Sequence, residues 1–354
     1  MLVFAASVFG TAFLIIGRHW HIRVTGDTAD ESHHKVHVGT VPRVGGVAVY
    51  AAGLIGLALS SRALPDLIAK ILWMIWGCLT IIFVSGLVED LTRAVPPWVR
   101  YLTALGAAVL FSLAHGSYGI SSVGIDPLDQ TLSSSIVRVG FFAFAVASLA
   151  HGFNLTDGRN GLCAGASILI FVALGITASR TGQVPLANLS YIMAAANLGF
   201  LLFNFPYGKI FLGDGGAYFN GAVAAVITVF VVQGSSDVSP WFAILVLIYP
   251  VWETLFTIGR RVHAGHPFYL PDNDHLHHRL LPATEPGPFC ASYSALPILL
   301  LVAPFTLLAP YVADQTAALI ALIVSFVTAY LGLYYRLRST ATTPVRELTA
   351  GMPK

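Results

Sequence analysis

Charge is what this 354-residue sequence has least of: 10% of its residues are Asp, Glu, Lys or Arg, against about 25% in soluble domains. With 56% hydrophobic residues and a mean hydropathy of +0.76, so little charge excludes a soluble globular enzyme and a disordered chain. A basic excess is lacking too. Nineteen Lys and Arg against seventeen Asp and Glu leave +2, which argues against nucleic acid as a partner. Cysteine is scarce, and Cys78, Cys163 and Cys290 stand singly without CxxC or metal-type spacing, so they read as small packing residues. No internal repeat, low-complexity tract or second soluble domain is visible. What remains is an all-α polytopic membrane protein.

A span needs ~20 mainly apolar residues. Eleven stretches approach that: 1–17, 45–61, 68–88, 99–115, 135–152, 161–178, 185–204, 216–233, 240–259, 289–310 and 315–335. The first is a span rather than a signal peptide, because no basic residue precedes its apolar run and Arg18 and Arg23 follow it. An odd count puts the termini on opposite sides. Pooling alternate loops leaves only Arg62, Lys70, Arg138 and Arg180 on one side and the other basic residues opposite, so the positive-inside rule makes the crowded side cytoplasmic. This predicts an outward amino terminus, one catalytic domain over 1–335 and a cytoplasmic tail over 336–354. Active-site loops are expected at 18–44, 89–98, 153–160, 205–215 and 260–288, all on the cytoplasmic side.

The first loop, HHKVHVGTVPRVGG, could be a basic segment attracted to anionic lipid. Its ending argues for more: Pro42, Gly45 and Gly46 permit a tight turn close to an anion, and Lys35, His37 and Arg43 supply charge-assisted donors. The second carries adjacent acids, Glu89 and Asp90, with Arg100 beyond them. A solvated helix end would explain two acids alone. They gain weight from Asn154 and Asp157 in NLTDGRNGL and Asp214 in FLGDGGAYFNG, which open to the same side. Oxygen ligands from separate loops suit Mg²⁺, with Mn²⁺ as a substitute, since Mg²⁺ takes one or two carboxylates and completes its shell with water and phosphate. Asp214, Asn154 and Asp90 are the candidate ligands. The glycine runs either break helices or cradle phosphate, and neither has P-loop spacing. The last loop holds Arg260, Arg261, His275, His277 and His278. Zinc is the alternative for HxHH, but no cysteine or clear fourth ligand stands beside it, and arginine forks with imidazoles suit a diphosphate better. Acids for one cation and bases for several phosphates, at a membrane surface, describe phosphoryl transfer between a soluble donor and a lipid.

KxHxxxxPRxGG, an acidic pair, NxxDGxNGL, FLGD and HxHH, in that order from Lys35 to Leu280, resemble the polyprenyl-phosphate N-acetylhexosamine-1-phosphate transferases of bacteria. That resemblance implies a UDP-N-acetylhexosamine donor, an undecaprenyl phosphate acceptor, release of UMP, residence in the inner membrane and a homodimer. It also implies roles: Glu89, Asp90 and Asp214 catalytic, Asn154 holding metal and diphosphate, Asp157 and Asn160 lining the nucleotide pocket with Asn160 on uracil, and the histidines with Arg261 on diphosphate. The histidine pattern matches the branch that initiates O-antigen, common-antigen and teichoic-acid linkages. Glu89, His151, Ala217 and Glu253 depart from the usual Asp, Asn, Ser and Asp, which bears on the choice of sugar more than on the reaction. A transporter or flippase is the rival; transporters place polar groups near the membrane midplane, whereas here almost all ionisable residues sit at span ends.

Overall fold

The computed structural model describes residues 1–27, 40–116, 118–267, 274–280 and 292–337. Lys35 and His37 lie outside them. The chain opens with α1 (Leu2–Ile16) and α2 (Arg18–Thr25), which meet at Gly17 with an 81° bend. The bend lets His21 Nε2 donate to the Leu14 carbonyl, 3.0 Å away, and leaves Trp20 exposed beside Arg18 and Arg23, the mix that favours a membrane interface.

After α3 (Gly45–Ser60) come α4 (Asp66–Thr92), α5 (Pro97–Ala114), a short α6 (Asp126–Leu132), α7 (Ser135–Thr156), α8 (Leu162–Arg180), α9 (Val184–Asn204) and α10 (Gly213–Gln233). The chain closes with α11 (Trp241–Val246), α12 (Ile248–His263), a one-turn α13 (Leu276–Arg279), α14 (Ala295–Leu308) and α15 (Thr316–Arg336). Eight described helices, α3 to α5, α7 to α10 and α15, are long and apolar enough to cross a membrane. The other three expected stretches are shorter or interrupted. α1 is bent against α2; α11 and α12 part at Leu247, where Pro250 supplies no N–H and its ring crowds the Val246 carbonyl four residues back; α14 contains Pro304. The exposed Phe9, Phe13, Val84, Leu110 and Phe144 on the outer faces need no covering in lipid.

The centre of the bundle is α10, buried along almost its whole length. Small residues permit this, because backbones approach where no side chain intervenes. A Cβ on Gly86 of α4 would lie 2.7 Å from Gly215 Cα, one on Gly221 would lie 2.6 Å from the Leu149 carbonyl of α7, and one on Gly46 of α3 would strike Gly216. Deeper in, Asn197 of α9 and Asn220 exchange amide hydrogen bonds of 3.1 and 2.7 Å, a polar pairing that fixes helix register in an apolar surround.

One detail departs from an all-α chain. Gly26–Asp27 (β1) pairs antiparallel with Val41–Pro42 (β2). Arg93, in the left-handed region at φ 53°, donates to the Gly26 carbonyl, and Phe211 N–H donates to the Pro42 carbonyl at 2.9 Å. The ribbon thereby ties the residues before Arg43 to the start of α10. No hydrophobic alternation marks strands this short.

Candidate active site

Asp90 ends α4 against the first turn of α10. Its Oδ1 accepts from Asp214 N–H and its Oδ2 from Gly215 N–H, both at 2.9 Å, so a carboxylate from one helix caps the positive end of another. Only glycine serves just before this turn: Gly213 has φ +77°, and a Cβ would press on the Arg43 carbonyl and on Asp90 Oδ2.

The cap presents Asp214 at the N-terminal end of α10. Asn154 Nδ2 donates to its Oδ1 at 2.9 Å, Arg100 pairs with its Oδ2, and Arg43 Nη2 lies 3.6 Å from Asp214 Oδ1 and 3.4 Å from Asp90 Oδ1. Arg100, a buried guanidinium, also covers the Tyr218 ring at 5.2 Å. Asp157, at the end of α7, completes the acidic side: burial first, then the charge of Asp90, raises its carboxyl well above the usual range, and Arg43 opposes them. Its linkage to folding has a definite sign. With the folded value raised, the native state binds the proton more tightly, so stability from Asp157 is greatest below the unfolded value of 3.8 and declines as pH rises toward the folded one. Asp157→Asn is therefore expected to raise the melting temperature of the ligand-free protein at neutral pH while impairing donor use; a lower melting temperature would show the carboxylate to be structural.

Five sequence expectations thus converge: Arg43, Asp90, Arg100, Asn154 and Asp214 meet within hydrogen-bond or ion-pair range. Glu89 stands beside this cluster, close enough for its charge to act on Asp90, and outside its hydrogen-bond network. Its Oε2 accepts Val95 N–H at 2.7 Å and shapes the turn into the Pro96–Pro97 start of α5. His151 has both ring nitrogens engaged, with the Ala147 and Pro97 carbonyls at 3.2 Å, and bridges α7 to α5 against Tyr218.

The histidine loop forms the second half of the site. His275 Nδ1 lies 2.9 Å from Glu253 Oε1, and Tyr330 O–H donates to Glu253 Oε2 at 2.5 Å. Glu253 is wholly buried, so this pairing sets the orientation of the imidazole. Tyr330→Phe leaves one Glu253 oxygen without that donor; a loss of ~1–3 kcal/mol of stability is expected by thermal denaturation, and an unchanged midpoint would show the bond to be dispensable. Asp274 gathers Arg260 at 3.2 Å, Arg279 Nε at 2.6 Å and Tyr334 O–H at 2.8 Å. His277 packs on Gly158, Arg261 is buried nearby on α12, and Asn160 Nδ2 donates to Ser292 Oγ at 2.9 Å. The loop at 157–160 therefore joins the two halves.

Sequence reasoning did not assign Glu253 and Tyr330 as partners of His275. A lone acid in an apolar span was the available signal; a tyrosine far along the chain offered none.

The donor set suits a hard cation. Of the expected ligands, Asp214 and Asn154 offer oxygen atoms, while both Asp90 oxygens accept N–H groups of α10; among the described residues no group of three His, Cys, Asp or Glu side chains is clustered as a metal cage. Mg²⁺ sites of that kind take one or two carboxylates and fill the remainder with water and phosphate.

Residues 72–232 match the family model described as glycosyl transferase family 4. A Bacillus subtilis protein named probable undecaprenyl-phosphate N-acetylglucosaminyl 1-phosphate transferase is 29% identical over 72% of this chain and 70% of its own length. A Yersinia pestis undecaprenyl-phosphate alpha-N-acetylglucosaminyl 1-phosphate transferase is 27% identical over 78% and 75%. A Mycolicibacterium smegmatis decaprenyl-phosphate N-acetylglucosaminephosphotransferase is 31% identical over 72% and 69%.

Proposed function

The chain belongs to glycosyl transferase family 4, and from that premise we propose that it is the membrane enzyme that transfers a sugar 1-phosphate to polyprenyl phosphate. The observation that carries this reading is the convergence of Arg43, Asp90, Arg100 and Asn154, from separate segments, upon Asp214 at the end of α10. Nothing in the comparisons supports the transporter, and the charged groups of the site lie at helix ends rather than along a path through the bundle.

In this reading the donor is a UDP-linked N-acetylhexosamine, the acceptor undecaprenyl phosphate or a near relative, and the products UMP and a lipid diphosphate sugar. The relatives' names support N-acetylglucosamine as the first sugar to try. Eleven spans, an outward amino terminus, the bacterial inner membrane, a homodimer and an initiating role in O-antigen or related envelope polymers belong to the same proposal, supported by the distribution of basic residues and by the resemblance.

The phosphate monoester of the lipid has its second pKa near ~6 and is largely dianionic at neutral pH. It needs no strong base. One of its oxygens attacks the β-phosphorus in line, the bond from that phosphorus to the bridging oxygen breaks, and UMP leaves with the electron pair. Arg43 and Arg100 supply charge-assisted donors to phosphoryl oxygens, and the loop of His275, His277, His278 and Arg261 binds the diphosphate. Asp90 holds the first turn of α10 so that Asp214 stays in place. Mg²⁺, held by Asp214 and Asn154, would neutralise charge on the diphosphate when bound.

Passage of label from a sugar-labelled donor into solvent-extractable lipid tests the reaction. A second arm tests the pathway. Protein freed of lipid phosphate should give no burst of UMP and retain no covalent label after denaturation, whereas a stoichiometric burst with label on Asp90 would mean double displacement.

A further inference from the structure

The loop at 157–160 faces two ways. Asp157 responds to Asp90 and Arg43 on the acidic side, while Gly158 backs onto His277 so closely that a Cβ would strike Nε2. The next residue, Arg159, acts electrostatically on His277.

Polar atoms of both side chains lie buried without a partner. His277 is 1% exposed and neither of its ring nitrogens has a hydrogen-bond partner; Arg159 Nε is also buried without one. Among the described residues no carboxylate lies in salt-bridge range of Arg159. A structural arginine has its fork paired, and a core histidine bonds at least one ring nitrogen. His277 Nδ1, His277 Nε2 and Arg159 Nε are instead three buried nitrogens without a partner, set on either side of Gly158. The other groups against His277 repel positive charge as well: His275 stacks on it at 5.3 Å and 4°, and His278 lies 4.2 Å away. Burial lowers Arg159 to about 10, and burial with His278, His275 and Arg159 lowers His277 well below the usual imidazole value. Bringing in an anion would relieve each of these costs.

We infer that Arg159 and His277 form a phosphate-binding half-site, in which Arg159 is a substrate-binding residue for the transfer reaction. Phosphoryl oxygens would accept from the Arg159 guanidinium and a His277 ring nitrogen. The phosphate is supplied either by the diphosphate of the nucleotide donor or by the monoester of the lipid acceptor. The inference rests on the reading of the histidine loop as phosphate-binding.

The test measures binding of UDP, uridine and dodecyl phosphate to the full-length protein in detergent, together with melting temperature without ligand, for wild type, Arg159→Gln, Arg159→Lys and His275→Ala. Arg159→Gln should weaken UDP, dodecyl phosphate or both by tenfold or more, leave uridine within about twofold, and melt no lower than wild type, because a buried Nε without a partner has gone. Loss confined to UDP assigns the donor; loss confined to dodecyl phosphate assigns the acceptor. Arg159→Lys, which keeps the charge without the fork, should fall between. Unchanged affinity for both phosphate probes in Arg159→Gln, or parallel losses of uridine and UDP in both Arg159 variants, would overturn the half-site. If His275→Ala loses UDP while Arg159→Gln retains both phosphate probes, the inference about Arg159 fails alone. If binding of both phosphate probes is indifferent to both substitutions, the phosphate reading of the histidine loop fails with it.

Discussion

Asp214→Asn is expected to lower turnover by 10²-fold or more, a barrier increase of about 2.7 kcal/mol, in protein that still melts cooperatively. The substitution keeps the shape of the side chain and removes its charge from the point where Arg43, Arg100 and Asn154 meet. Some stability will go too. Arg100 is 6% exposed and would retain its stack on Tyr218 without its carboxylate; the loss is moderated because the Asp214 side chain is itself partly solvated. Turnover per folded molecule, measured at saturating donor, separates the two effects. Wild-type turnover in Asp214→Asn would remove the residue from the chemistry.

Gly213→Ala should fail in a different way, losing activity and stability together. A non-glycine residue at φ +77° carries ~1–2 kcal/mol of backbone strain, and its Cβ would also displace the Arg43 carbonyl and the Asp90 carboxylate that accepts the Asp214 and Gly215 N–H groups. A total cost of ~3 kcal/mol or more is expected, together with at least a tenfold drop in turnover. Gly77→Ala on α4 is the control, since a Cβ there meets nothing within 4 Å and alanine favours the helix. If Gly213→Ala melts and turns over like Gly77→Ala, the tight start of α10 is not what holds the site.

The membrane helices were legible in the sequence because lipid imposes a coarse constraint: a run of apolar residues of sufficient length. The interruptions were harder to see. Pro250 lies inside an apolar stretch, and the chain breaks at Leu247 because a proline acts on the carbonyl four residues earlier. The pairing of Gly26–Asp27 with Val41–Pro42 had no periodicity to announce it.

For the site, acids and bases at loop mouths could be counted from the sequence, and the structure brings Arg43, Asp90, Arg100, Asn154 and Asp214 together. Their division of labour could not be counted. Neighbouring acids Glu89 and Asp90 point to different tasks, one shaping a turn at Val95 and the other capping α10. The carboxylate behind His275 comes from another helix, 22 residues earlier in the chain. Contacts of that kind depend on helix packing, which residue spacing within a loop does not encode.

The most direct measurement is UMP release by the purified full-length protein in detergent, supplied with UDP-N-acetylglucosamine, undecaprenyl phosphate and Mg²⁺, with each omitted in turn and with Asp214→Asn alongside. Release is expected only when all three are present, with formation of a lipid diphosphate sugar in equal amount and loss of both products in Asp214→Asn. Release that continues without the lipid phosphate, or at the wild-type rate in Asp214→Asn, would contradict a phosphoryl transfer centred on Asp214.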